Sequence, residues 1–197
     1  MAFEFLRSFP SDSPSRRGIR VVGFVGSSGS GKTTLIEQLV PRFSGSGLRV
    51  GVMKHAHHGF DMDRPGKDTH RARLAGAAQV LVASRERWAL MGEVAEPAEE
   101  PDFHALLGKF DYGQIDLVLA EGFSREAYPK VEVYRPDHGQ PPRRWPHDPN
   151  ILAVASDVPL DVIAPVTWLD LNRVDQVAEF LLTRLPELRP IVLAHVD

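Results

Sequence analysis

Eight consecutive residues, Gly26-Ser27-Ser28-Gly29-Ser30-Gly31-Lys32-Thr33, carry the most explicit chemistry in the chain. They satisfy every fixed position of the phosphate-binding pattern G-x-x-x-x-G-K-[ST]. Triphosphate oxygens need many donors at close range. Gly26, Gly29 and Gly31 let backbone N–H groups turn inward with no side chain in the way. The helix expected after them adds its orphan N–H groups and the positive end of its dipole. Lys32 is placed to reach the β- and γ-phosphates, and the Thr33 hydroxyl to ligate Mg²⁺. Thr34 is a donor for the α-phosphate. A phosphate loop needs a strand before it and a helix after it. Val21–Val25 is a short apolar run, and Leu35, Ile36, Leu39, Val40 and Phe43 recur at helical spacing.

The carboxylates fall where such a site needs them. Glu121 closes the apolar run Ile115–Ala120, the position of an acidic Mg²⁺ partner or a water-positioning group. Gly122 lets the chain pass close to the γ-phosphate. Asp116 is the alternative but lies at the wrong end of that strand. Asp61 and Asp63, on the loop after the second strand, are further Mg²⁺ candidates, since the ion takes six oxygens and keeps several as water. Asp157, after the strand Ile151–Ala155, can accept from guanine N1–H and its 2-amino group, which adenine does not offer. It is the candidate for choosing the base, although no N-K-x-D signature is present.

A second anionic ligand is expected beside the loop. Segment 54–73 holds Lys54, Arg64, Lys67, Arg71 and Arg73 against Asp61, Asp63 and Asp68, with His55, His57, His58 and His70 besides. On a chain of net charge −3 this is a local positive excess, suited to the γ-phosphate or to another anion. His55, His57 and His58 also have the chemistry of transition-metal ligands. However, neighbouring residues of an extended segment face opposite ways and no cysteine assists, so anion binding is the better reading. Arg73 reads as a solvated helix-face charge.

Strands alternating with helices predict a mainly parallel sheet with helices on both faces. Strands are expected over Ile19–Val25, Arg49–Lys54, Ile115–Ala120, Pro129–Tyr134, Ile151–Ala155 and Val166–Leu169. Pro129–Tyr134, alternating valine with charge, reads as half-exposed. Pro41 is expected to end or kink the first helix near Val40. Val80–Ala83 and Trp88–Met91 predict a hairpin, an antiparallel excursion at the sheet edge. Short helices are expected after Asp68 and over Phe103–Phe110, and a longer one capped by Asn172. Ligands of such sheets bind at the carboxyl ends of strands, which gathers residues 26–33, the loop after Lys54, Glu121 and Asp157 on one edge. The expected organisation is an N-terminal arm (1–18), one nucleotide-binding domain (19–185) and a C-terminal tail (186–197).

Composition narrows the classes. The acidic balance argues against general nucleic-acid binding. No run of about 18 apolar residues is present, so no membrane span is expected. The first 18 residues lack a signal-peptide core, so a cytoplasmic protein is expected. With no cysteine, disulfides, thiolate metal sites and a cysteine nucleophile are excluded.

Several stretches together resemble one family. They are the phosphate loop; Lys54-His55-x-His57-His58-x-x-Asp61-x-Asp63-x-Pro65-Gly66-Lys67-Asp68; Arg71; Ala75-Gly76-Ala77; Ala83-Ser84-x-x-Arg87-Trp88-Ala89-Leu90; Asp116-Leu117-x-Leu119-x-Glu121-Gly122-Phe123; Pro129-Lys130; and Ala153-x-Ala155-Ser156-Asp157. The pattern is similar to MobB, the molybdopterin-guanine dinucleotide biosynthesis adaptor proteins, and covers most of 19–182. The resemblance implies a P-loop NTPase fold and a GTP-binding homodimer with weak GTPase activity. It implies a role beside the MobA-type guanylyltransferase that joins GMP to molybdopterin, with the basic histidine loop facing molybdopterin or nucleotide phosphate. No residue reads as a kinase acceptor base and no arginine finger is evident in cis, so hydrolysis is expected to be slow, on the order of 10⁻⁴–10⁻² s⁻¹. A small-molecule kinase and a histidine-using metal-insertion GTPase of the same fold class are the alternatives.

Overall fold

Apolar runs too short and too continuous for amphipathic helices form a six-stranded sheet. The computed structural model describes residues 18–56, 59–94, 98–138, 142 and 144–192. His57, His58 and nearly all of the proposed arm therefore lie outside the described residues, as does the end of the tail. Strands β1 (Arg20–Val25), β2 (Val50–Lys54), β5 (Leu117–Glu121), β6 (Lys130–Tyr134), β7 (Ile151–Ser156) and β8 (Thr167–Asp170) pair in the order β2-β5-β1-β6-β7-β8. Every pairing in this sheet is parallel.

One sheet face carries Val22, Phe24, Leu119, Val131 and Ala155, packed on helix α1 (Lys32–Gly45) and helix α4 (Val174–Arg184). The other carries Val21, Val118 and Ala120 beneath the short helix α3 (Phe103–Leu107) and the rings of Phe123 and Tyr128. Asp102 caps α3 by accepting from the Ala105 N–H at 2.9 Å. Ile191, in the proposed tail, pairs antiparallel with Ile19.

Three expectations are corrected. Helix α1 runs through Pro41 to Gly45 instead of ending near Val40. Pro41 is exposed, while Leu39 and Phe43 on either side are wholly buried. Burying a phenylalanine contributes roughly 1.5–3 kcal/mol, similar to the ~3 kcal/mol cost of an interior proline. Strand β6 is not half-exposed. Lys130 and Glu132 are each 1% exposed, and their partners are described below. Helix α4 starts one residue later than an Asn172 cap would give, with Arg173 at the capping position.

The chain divides into two compact units, one made of residues up to His55 with Asp102 onward, the other Ala56–Pro101. The second unit holds helix α2 (Asp68–Leu74) and the antiparallel pair β3 (Gln79–Ala83) and β4 (Trp88–Gly92). The expected hairpin thus exists as a two-stranded sheet of its own.

Candidate functional site

The phosphate loop leaves β1 through a turn that only glycine fits. Gly26 has φ +136°, and a Cβ there would stand 2.2 Å from the Val133 carbonyl oxygen of the neighbouring strand. Gly31, at φ +101°, occupies the N-cap of α1 in the left-handed region. The loop closes with the Ser30 N–H donating to the Ser27 carbonyl at 3.2 Å. The buried Ser30 hydroxyl has no hydrogen-bond partner. Ser28 and Gly29 form the exposed rim, and Thr34 is exposed in the first turn of α1.

Lys32 folds back across this loop. Its ammonium donates to the carbonyls of Gly26 at 3.0 Å and Ser27 at 2.7 Å. Burial pushes its pKa below the ordinary lysine value; the Glu121 carboxylate pulls it back up and the Lys54 ammonium lowers it further.

Sheet register brings the remaining groups to Lys32. Strand β5 lies between β1 and β2, and Glu121 is opposite Phe24 on one side and Lys54 on the other. The Thr33 hydroxyl donates to the Glu121 carboxylate, 2.9 and 2.8 Å from its two oxygens. The Lys54 ammonium donates to Thr33 Oγ1 at 3.2 Å and stands 3.3 Å from Glu121 Oε1. A hydroxyl and a carboxylate converging at a phosphate loop are the hard oxygen donors that Mg²⁺ takes, so these residues fit the ion. Gly122, at φ +89°, continues the chain where a Cβ would come within 2.9 Å of the His55 Cβ. The His55 ring lies 5.2 Å from that of Phe123.

Asp157 follows β7 on the same sheet edge. Its Oδ2 accepts from the Arg135 guanidinium at 2.7 Å, while Oδ1 is buried without a hydrogen-bond partner. Arg135 Nε would be 3.4 Å from a Cβ on Gly31, which sets the guanidinium against the phosphate loop. Arg135 was not among the candidates read from the sequence. The available signal was its place directly after a parallel strand, on the edge where ligands bind.

The other candidates belong to the unit Ala56–Pro101. Asp61 Oδ1 accepts from the Asp63 N–H at 2.9 Å and pairs with Arg73 at 3.2 Å. These contacts, the backbone N–H first, hold its carboxyl below the usual range. Asp63 accepts from the Thr69 hydroxyl at 2.7 Å. Arg73 is not the solvated charge expected: it faces Asp61, Asp63 and Glu93 with its side chain 21% exposed. Lys67 and Arg71 are exposed. Among the described residues no group of three or more His, Asp or Glu side chains is arranged to hold a metal ion.

A family model described as molybdopterin guanine dinucleotide synthesis protein B, MobB, matches residues 21–157. The chain belongs to the MobB family. It is 44% identical over 163 residues to the molybdopterin-guanine dinucleotide biosynthesis adapter protein of Escherichia coli, covering 83% of this chain and 91% of that one. It is 42% identical to the adapter protein of Haemophilus influenzae, covering 83% and 88%. Among solved structures, a MobB homolog from Bacillus stearothermophilus superposes with TM-score 0.64 at 26% identity, over 85% of this chain and 98% of that one. Bacillus subtilis MobB does so with TM-score 0.63 at 27% identity, over 82% and 97%. The P-loop fold is therefore that of MobB proteins, and the matched span contains Lys32, Thr33, Lys54, Glu121, Arg135 and Asp157.

Proposed function

We propose that this chain is a GTP-binding adapter in molybdopterin guanine dinucleotide biosynthesis, acting beside a MobA-type guanylyltransferase. The observation that carries the nucleotide half of this reading is the convergence of Lys32, Thr33, Lys54 and Glu121 at the phosphate loop. The names of the Escherichia coli and Haemophilus influenzae relatives support the adapter half. In this reading Thr33 and Glu121 hold Mg²⁺, Lys32 neutralises the β- and γ-phosphates, and Asp157, oriented by Arg135, selects guanine. Hydrolysis is slow, because the sequence offers no arginine finger in cis to neutralise the charge that develops in the transition state.

The basic loop after Lys54, with Lys67 and Arg71, has the charge to bind a phosphate-bearing ligand such as molybdopterin. The working form is a cytoplasmic homodimer joined through the β3–β4 hairpin. Among the described residues no helix is long and apolar enough to cross a membrane. The deciding experiment is affinity capture of the guanylyltransferase on the immobilised chain with GTP, GDP or no nucleotide. Nucleotide-dependent capture, lost in Lys32→Ala, supports the reading. Capture of neither guanylyltransferase nor molybdopterin in any state removes the adapter half.

A further inference from the structure

On the sheet face opposite α1, a cleft of about 270 Å³ opens between Ser124–Ala127, after β5, and Arg144–Asn150, before β7. Its floor is Lys130. Side chains alternate along a strand, and Val131 and Val133 pack with the α1 core, so Lys130 and Glu132 point the other way. Glycine at position 23 of β1 makes room for the lysine. A Cβ there would come 2.9 Å from Lys130 Cγ and 2.5 Å from the Tyr128 ring.

Two buried charges on β6 build the far wall. Lys130 donates to Asp148 Oδ2 at 2.6 Å, and Asp148 Oδ1 accepts from the backbone and side-chain amides of Asn150 at 2.9 and 2.8 Å. Glu132 accepts from the Arg144 N–H at 3.0 and 3.2 Å and from the Trp145 N–H at 2.8 Å. Segment 144–150 is thereby fixed by ionised groups taken out of water. Such pairs are costly, and apolar replacements are often neutral or better for stability. What this arrangement presents is Arg144. Its guanidinium spans the cleft to the Ser124 hydroxyl at 2.5 Å and has no carboxylate partner among the described residues. Lys130 is answered by Asp148, and Glu132 is taken up by the backbone N–H groups of Arg144 and Trp145, which leaves the Arg144 guanidinium, with His147 on the rim, as the donor turned to the cleft.

We propose that this cleft is a second anion site, taking the phosphate or diphosphate group of a phosphorylated small molecule. A guanidinium fork beside a hydroxyl donor matches a tetrahedral oxyanion bidentately. A volume just under the usual range for small-molecule sites suits a phosphoryl head and not a whole nucleotide. Glu121 shares the α1-facing side of the sheet with Phe24, its partner in register, so the two sites lie on opposite faces.

The test is calorimetric titration of the full chain with pyrophosphate, and it rests on the nucleotide reading only for its first site. Wild type is expected to bind two equivalents. Lys32→Ala keeps only the cleft equivalent. Arg144→Gln loses at least tenfold in affinity at the cleft while GTP affinity stays within about twofold. Arg144→Lys, which keeps the charge and loses the fork, falls between. Citrate is expected to bind the cleft at least tenfold more weakly than pyrophosphate. The proposal is overturned if Lys32→Ala binds no pyrophosphate, if Arg144→Gln keeps both equivalents, or if citrate binds as well. Failure of the phosphate-loop reading looks different: pyrophosphate stoichiometry insensitive to Lys32→Ala and no GTP binding.

Discussion

Thr33 and Glu121, 88 positions apart in the chain, are joined at 2.9 and 2.8 Å between the threonine hydroxyl and the two carboxylate oxygens. The bond ties the first turn of α1 to the end of β5, and Lys54 from β2 closes on the same pair. Glu121→Gln keeps the shape and removes the charge. It is expected to weaken the Mg²⁺-dependent part of nucleotide affinity by about 10–100-fold, the usual cost of disturbing a metal site's supporting ligands. Metal-free GDP binding should hold or improve, since repulsion of the phosphates is relieved. Fluorescent-GDP titrations with Mg²⁺ and with EDTA separate the two, and an unchanged Mg²⁺ dependence would exclude Glu121 from the metal site.

Burial sets a pH limit on Lys32. Its folded-state pKa lies below the ordinary lysine value, so binding carried by the ammonium is complete below that shifted value and declines as pH rises through it. The alkaline fall in GDP affinity is therefore expected to begin earlier than for an exposed lysine. Lys32→Arg, charged throughout, should bind more weakly at neutrality and flatten that fall. Titrations over roughly pH 7 to 10 show it. A wild-type profile as flat as the arginine variant's contradicts the assignment.

The phosphate loop and Glu121 were readable in the sequence because their requirements are local. The glycines answer backbone needs at fixed spacing, and an acid at the end of an apolar run declares its edge of a parallel sheet. Lys130 and Glu132 were not. Alternating valine and charge normally means one wet face, and the groups that bury these charges, Asp148, Arg144 and Trp145, stand 12 to 18 residues downstream in an irregular segment. Pro41 misled for a related reason: local chemistry favoured a stop, while the buried Leu39 and Phe43 held the helix on the sheet.

The Lys130–Asp148 pair gives a stability test. Asp148→Asn leaves a 1%-exposed ammonium without its counter-charge, which costs about 3–5 kcal/mol when such a pair is broken from one side. Removing both charges, Lys130→Met with Asp148→Asn, should recover most of that loss. Burial alone would raise the Asp148 carboxyl, but the Lys130 and Asn150 donors outweigh it and hold its pKa below the ordinary value. Its contribution is thus present above the unfolded carboxylate pKa and is lost as pH falls through the lower folded one. Urea unfolding at neutral and acid pH measures both effects. Equal stability of the single and double variants would mean the pair is solvated.

Base choice tests the Arg135–Asp157 contact. Asp157→Asn is expected to reduce the preference for GTP over ATP by about tenfold, equivalent to ~1.4 kcal/mol. Arg135→Ala should erode it less, because the carboxylate remains but is no longer oriented. Competition of GTP and ATP against fluorescent GDP reads both, and an unaltered ratio in Asp157→Asn assigns base selection elsewhere.

The β3–β4 hairpin supplies the last test. Leu81 stands opposite Leu90 and Ala83 opposite Trp88, which puts Leu81, Leu90 and Trp88 on one face, with exposures of 62, 47 and 67%. A two-stranded sheet is marginal in water without a partner layer, and a contiguous exposed apolar face of this kind marks an association surface. In the proposed homodimer a second copy of the chain would bring the same apolar face to it. Leu81→Asp is expected to weaken self-association by about 100-fold, or ~2.8 kcal/mol, and the Leu81→Asp, Leu90→Asp double variant to run as a monomer of 21.9 kDa. Light scattering coupled to size exclusion decides it. A monomeric wild type, or a double variant that stays dimeric with native circular dichroism, moves the dimer interface off this hairpin.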